Sequence, residues 1–326
     1  MQSSSPTLIS PLILSLIKPV VKHETGSDLP YRMTVHPHGD GILCSFQQSC
    51  RLFEWKDSEG NEVHKLGVKA SEKVLTQLED VGQQLALTFD SEGSILAVGG
   101  EDGSLRVFKW PSMEKILDEA QPLSSVKNLD FSCDGKFLVS LGSALCRVWD
   151  VTSSKVVTSL AKGNDEVFAF CRFSPINDKN THLYIAAVTD HGGSILTYNT
   201  TTWNRIRTSR VVRDAISAFN VSSDGKFLAV GIVGGDLFII NAANMKVQMM
   251  VKKAHLGLVR ALTFSPDSRA VVSASLDSSA RVTLIKDKNR SGGMSWIIII
   301  LMVLLAIAVY FMKENGIAIK DLTILW

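Results

Sequence analysis

One pattern recurs along most of the chain, and its period restricts the fold more than any other feature. The copies are "YRMTVHPHGDGILCSFQQSCRLFEW" (31–55), "LALTFDSEGSILAVGGEDGSLRVFKW" (85–110), "VKNLDFSCDGKFLVSLGSALCRVWD" (126–150), "VFAFCRFSPINDKNTHLYIAAVTDHGGSILTYN" (167–199), "ISAFNVSSDGKFLAVGIVGGDLFIIN" (216–241) and "VRALTFSPDSRAVVSASLDSSARVTLI" (259–285). Their aligned residues Val35, Phe89, Phe131, Phe173, Val221 and Phe264 are separated by 54, 42, 42, 48 and 43 positions. Such a unit cannot bury its apolar face alone, and a period in the low forties predicts stacked four-stranded blades closing into a β-propeller.

Each copy has the same internal logic. A short alternating strand such as "NLDF" leads into "SCDG" or "SSDG". The Asp-Gly and Glu-Gly pairs supply the positive φ that tight hairpins need. A nearly continuous apolar run follows ("FLVSL", "FLAVG", "ILAVG", "AVVSA"), as in strands covered on both faces. A second turn leads to a strand ending in an aromatic residue, and "VVTSLA" or "KVQMMV" completes the blade. Six blades are clear. A seventh would draw on Thr7–Val21, closed with residues near Val282–Ile285, and it is incomplete.

A second feature lies near the C-terminus. No charged residue occurs from Ser291 to Met312, and Trp296–Met312 are all apolar. A helix rises about 1.5 Å per residue, so this run matches a bilayer core. Trp296 and Tyr310 sit near its ends, where aromatic side chains favour the membrane interface. Arg281, Lys286, Lys288 and Arg290 precede the run, and Lys313 and Lys320 follow it with Glu314 and Asp321. The positive-inside rule therefore places the repeats in the cytosol. The Asn-x-Ser/Thr triplets at Asn199, Asn220 and Asn289 would then stay unmodified. The five cysteines fit no zinc spacing and read as reduced thiols.

The expected organisation is N-terminal strands or a partial blade at 1–30, a cytosolic propeller at 31–290, a transmembrane helix at 294–312 and a short lumenal tail at 313–326. The fold class is all-β with a single C-terminal span.

The net charge is +2 and basic residues are scattered, which excludes a strongly basic nucleic-acid binder. No nucleophile elbow, Walker loop or dinucleotide fingerprint is present, so no catalytic residues, no metal and no small-molecule substrate are assigned. His36, His38 and Asp40 sit where other copies place a turn, and His191 lies in another turn. Trp55, Trp110 and Trp149 end third strands and read as packing residues. Function is expected on the loops of a protein-binding face.

"RVWD" at Arg147–Asp150, with the Phe-Ser-x-Asp-Gly turns, resembles WD-repeat proteins. Most copies lack the Trp-Asp pair and the Gly-His opener. His255 in "KAHLGLV" occupies the place where WD repeats carry a structural histidine. "GSDLPYRMTVHPHGDGILCSFQQSCRLFEW" (26–55), "VGGEDGSLRVFKWPSMEKILDE" (98–119) and "AHLGLVRALTFSPDSR" (254–269), with a span near the C-terminus, are similar to the plant branch of the Sec-twelve-type membrane proteins of the endoplasmic reticulum. The resemblance implies a single-pass membrane regulator of vesicle budding that loads the Sar-type small GTPase of COPII coats. The alternative it leaves open is an adaptor or cargo-exit facilitator without exchange activity. Asp28 and Pro30 match the family's Asp-x-Pro and are the implied GTPase contacts. The family's Gly-rich potassium loop has no counterpart before Gly26, so no potassium or other cofactor is assigned.

Overall fold

The computed structural model describes residues 25, 28–57, 66–79, 81–119, 124–142, 145–175 and 181–285. These form six antiparallel sheets, each a meander in chain order. Blade one holds β1 (Arg32–Val35), β2 (Gly41–Ser45), β3 (Cys50–Asp57) and β4 (Leu66–Ala70). Blade two holds β5 (Gln84–Phe89), β6 (Ile95–Gly100), β7 (Leu105–Lys109) and β8 (Glu114–Glu119). Blade three holds β9 (Asn128–Phe131), β10 (Phe137–Leu141), β11 (Leu145–Asp150) and β12 (Lys155–Ala161). Blade four holds β13 (Val167–Phe173), β14 (His182–Thr189), β15 (Gly192–Asn199) and β16 (Arg205–Val212). Blade five holds β17 (Ile216–Val221), β18 (Phe227–Ile232), β19 (Leu237–Asn241) and β20 (Val247–Val251). Blade six holds β21 (Val259–Phe264), β22 (Ala270–Ser275) and β23 (Ala280–Leu284). Each repeat of the sequence is thus one sheet. The first strands meet in the order β1, β5, β9, β13, β17, β21 and line a central channel.

The turn between the first and second strands shows how the sequence writes the blade. Ser132 Oγ donates to Asp134 Oδ1 and accepts from the Phe137 amide at 2.8 Å, while Gly135 takes φ +67°. Ser222, Asp224 and Gly225 repeat this, with φ +68° at the glycine. Ser265 and Asp267 repeat it with Ser268 at φ +58°. The serine side chain satisfies a backbone donor that the turn would otherwise strand.

The apolar runs became the second strands. β10 and β18 are buried almost throughout because neighbouring blades cover both faces. Leu138 and Trp149 pack against blade two, while Val139, Leu141 and Val148 pack against Phe168 and Ile185 of blade four. A fully buried Leu or Val contributes roughly 1.5–3 kcal/mol, so the seams between blades hold the ring.

β22 departs from this expectation, since Val272 is exposed beside the buried Val271. Its outward face, with Leu284, is left uncovered by the described residues. Blade one has the same condition. Ile42, Cys44, Phe46, Phe53 and Val68 form a small cluster on the face away from blade two, with Met33 and Val35 exposed beside it. The seventh blade expected between these faces lies outside the described residues. Val282–Ile285 do not supply it. Val282–Leu284 belong to β23 and pair with β22, because Val272↔Val282 is the register that completes blade six.

Residues 294–312, with Trp296 and Tyr310, also lie outside the described residues. Among those described, no helix is long and apolar enough to cross a membrane. Cys44, Cys50, Cys146 and Cys171 are buried. Burial raises the Cys44 thiol to about 11 and the Cys50 thiol to about 12, so both stay protonated.

Candidate functional site

The chain enters β1 on the face that also carries the β2–β3, β6–β7, β18–β19 and β22–β23 loops. The lead-in residues Asp28, Leu29 and Pro30 are exposed. Three contacts fix them. Thr25 Oγ1 donates to the Asp28 carbonyl at 2.7 Å. Arg51 Nη2 donates to Asp28 Oδ2 at 2.8 Å. The Tyr31 amide donates to the Ser45 carbonyl at 2.9 Å and begins the β1–β2 ladder. Proline suits this place, since it presets an extended backbone and needs no donor partner.

Arg51 is the organiser. Its guanidinium lies 4.7 Å from the centroid of the Phe46 ring while holding Asp28. Phe46 is buried and ends the apolar cluster of blade one. A backbone bridge between Ser49 and Glu79 ties the β2–β3 loop to the segment approaching blade two. Asp28, Gln47, Gln48, Ser49, Arg51 and Glu79 thereby surround an open concavity of about 530 Å³ with Phe46 at its base. Its rim is polar and carries both charges. Leu29 projects beside it at 76 % exposure. The exposed leucine and the fixed charge pair leave apolar surface and a carboxylate accessible together on one loop face.

The structure therefore brings Asp28 and Pro30 to a loop face and adds Arg51, Phe46 and Leu29. Sequence reading missed these three. Leu29 had a signal, being apolar within the Asp-x-Pro motif, whereas Arg51 reads as an ordinary strand residue until its partner 23 positions earlier is placed against it.

Three histidines are held in place by the fold, and His191 is exposed in the turn expected for it. His36 is buried, and its Nε2 lies 3.0 Å from the Gly93 carbonyl, joining the turns of blades one and two. His38 Nε2 lies 3.1 Å from the Glu92 carbonyl. His255 is buried between Ser279 (2.6 Å) and Ser273 (2.7 Å), with Asp277 at 3.8 Å. Desolvation lowers its basicity, against the pull of Asp277 and with the push of Arg281. Among the described residues, no three His, Cys, Asp or Glu side chains are grouped to hold a metal. Trp149 Nε1 donates to the buried Ser140 Oγ at 2.8 Å, confirming its packing role.

The blades, their serine–aspartate turns and the His255 network define a WD-repeat β-propeller. The WD domain, G-beta repeat family matches residues 78–109, 118–150 and 246–283. A solved chain described as "Structure of U3-55K" superposes with a TM-score of 0.64 at 14% identity, covering 79% of this chain and 78% of that one, which bears on the fold alone. "SEC12-like protein 2" of Arabidopsis thaliana is 54% identical over 86% of this chain and 70% of its own length. "SEC12-like protein 1" of the same organism is 32% identical over 86% and 71%. "Guanine nucleotide-exchange factor SEC12" of Mus musculus is 28% identical over 79% and 68%. The chain belongs to the SEC12-like family of WD-repeat proteins.

Proposed function

We propose that this protein regulates vesicle budding at the endoplasmic reticulum by engaging a Sar-type small GTPase of the COPII coat through the face around Asp28, Leu29 and Pro30. The lead-in segment carries the reading. It is pinned by Arg51 and presents an exposed leucine beside a carboxylate on a loop face. The family relationship supports the GTPase as partner, since the mouse relative is named as a guanine nucleotide-exchange factor.

An exchange factor needs no acid–base pair. It binds the nucleotide-free GTPase more tightly than the loaded form, and that differential affinity expels the nucleotide. The apolar run at 294–312 would anchor the propeller in the membrane, raising the effective concentration of the surface where the GTPase is loaded.

A second reading, a non-catalytic adaptor for coat or cargo, is favoured by one observation. Identity is higher to the relatives named SEC12-like, at 54% and 32%, than to the mouse exchange factor, at 28%. The test is release of labelled GDP from a purified Sar-type GTPase, with the full chain in liposomes. Acceleration that Leu29→Ala weakens supports exchange. Binding of coat or cargo without acceleration selects the adaptor.

A further inference from the structure

The first strands enclose a cavity of about 320 Å³ along the propeller axis. Its charged lining residues are Arg32 from β1, Arg172 from β13, Arg260 from β21 and Asp130 from β9. β5 and β17 contribute none, presenting Ala86, Leu87, Thr88, Ala218 and Phe219 instead. Among the described residues, three positive charges against one negative leave the lining with a net charge of +2.

The protein's own groups use only part of this donor capacity. Arg32 Nε donates to the Leu85 carbonyl at 2.7 Å. Arg172 Nη1 serves Asn128 Oδ1 at 3.0 Å and the Cys171 carbonyl at 2.7 Å, and stands 4.0 Å from Asp130 Oδ1. Asp130 itself accepts the Phe173 amide through Oδ2 at 2.7 Å, so its second oxygen is the only one turned toward Arg172. Arg260 is exposed to the channel and has no carboxylate partner among the described residues. The three guanidinium groups feel each other. Burial, then Arg260, then Arg172 lower the basicity of Arg32. Like charges held together in a confined space are costly unless something of opposite sign completes the group.

We propose that the axial channel binds a small phosphorylated anion, with Arg32, Arg172 and Arg260 as its ligands. Guanidinium forks match phosphate oxygens in pairs, and several forks from different directions suit an anion carrying adjacent phosphates better than a lone carboxylate. An anion of two or more negative charges would neutralise the surplus. The site lies between inner strands rather than on a broad face, which fits a small soluble anion. Its three arginines come from blades one, four and six, so the ligand would tie together parts of the ring that do not touch directly. The site is separate from the concavity at Asp28, and its existence is independent of the GTPase reading.

The probe is inorganic pyrophosphate, titrated into the full chain in detergent at constant ionic strength, with chloride and acetate as reference anions. Calorimetry should show saturable binding at one site, and the propeller's melting temperature should rise with pyrophosphate concentration. Arg260→Ala removes a side chain with no structural partner here and should weaken binding roughly tenfold or more, the size of one lost charged hydrogen-bonding group. Arg207→Ala, on the outer strand β16, should leave binding unchanged. The proposal is overturned if Arg260→Ala binds like the unaltered chain, if both variants weaken binding equally, or if pyrophosphate does no more than acetate.

Discussion

Arg51 grips Asp28 across 23 positions of sequence, its Nη2 donating at 2.8 Å to the carboxylate while its guanidinium carbon stands 4.7 Å from the centre of the Phe46 ring. Both side chains are about half exposed, at 47% and 48%. An exposed pair of this kind contributes at most about 1 kcal/mol to stability. Its value is positional, since it fixes Leu29 and Pro30 on the loop face.

Asp28→Ala and Arg51→Ala should therefore lower the propeller's unfolding free energy by no more than about 1 kcal/mol each. Their effect on GTPase binding should be larger, roughly tenfold for either one, because both release the docking segment. The double variant should be no worse than the singles, since they break one unit. Binding constants from surface plasmon resonance with the nucleotide-free GTPase decide this. Additive losses would mean that Asp28 and Arg51 contact the partner separately.

His255 should be a stability residue with a definite pH signature. It bridges two serine hydroxyls, Ser273 and Ser279, in a buried site. His255→Ala strands these hydroxyls and opens a cavity, with an expected loss of about 2–4 kcal/mol. The folded state holds the imidazole below its ordinary pKa of 6.5, chiefly by desolvation. The unfolded chain thus takes up the proton first. His255 makes no demand on stability above pH 6.5, and stability falls as pH drops below that value. Urea melts at pH 7.5 and 5.5 should show this fall in the unaltered chain and a smaller one in His255→Gln.

Much of this fold was legible because a propeller repeats its signals. Phe131, Phe173 and Phe264 mark the same inner-strand position, and the Ser-x-Asp turns reproduce one hydrogen-bond set. His255 is placed instead by the resemblance to WD repeats. What could not be read depends on positions that do not align. Arg32 lies three residues before its marker Val35, Arg172 one before Phe173, and Arg260 four before Phe264. Each looks like an isolated charge in its own repeat. Only the stacking of the blades around one axis brings them into one channel. Buried polar contacts also differ from blade to blade: blade three has the Trp149–Ser140 bond, while blade six has the His255–Ser273 contact with Thr283 where blade three has tryptophan.

Asp130 should make the propeller more tolerant of acid than its surroundings suggest. Burial pushes its carboxyl up to about 6, against the opposing pull of Arg172 and the Phe173 amide. In the unfolded chain the same group titrates near 3.9. Between those values the folded state binds the proton more tightly, so ionising Asp130 opposes folding as pH rises from about 4 to about 6. Asp130→Asn can still accept the Phe173 amide and carries no charge. Its stability relative to the unaltered chain should improve by about 1–3 kcal/mol from pH 4.5 to pH 7.5. The comparison is between chemical melts at the two pH values. An unchanging difference would show that Arg172 keeps Asp130 ionised throughout.

Gly39 and Gly93 offer a controlled pair for the seam between blades one and two. Both have positive φ, +78° and +68°, so alanine is strained at either by about 1–2 kcal/mol. They differ in what a new methyl group would meet. At Gly39 nothing lies within 4 Å, whereas at Gly93 the added carbon runs into the ring of the buried His36. Gly39→Ala should therefore show the backbone strain alone. Gly93→Ala should lose a further 1–3 kcal/mol or so, since His36 must leave the Gly93 carbonyl or the turn must shift. The decisive measurement is the melt of Gly93→Ala combined with His36→Ala. If the collision causes the excess loss, the second substitution relieves it and the two changes are less than additive. If the losses simply sum, the seam tolerates the methyl group and backbone strain accounts for the whole effect.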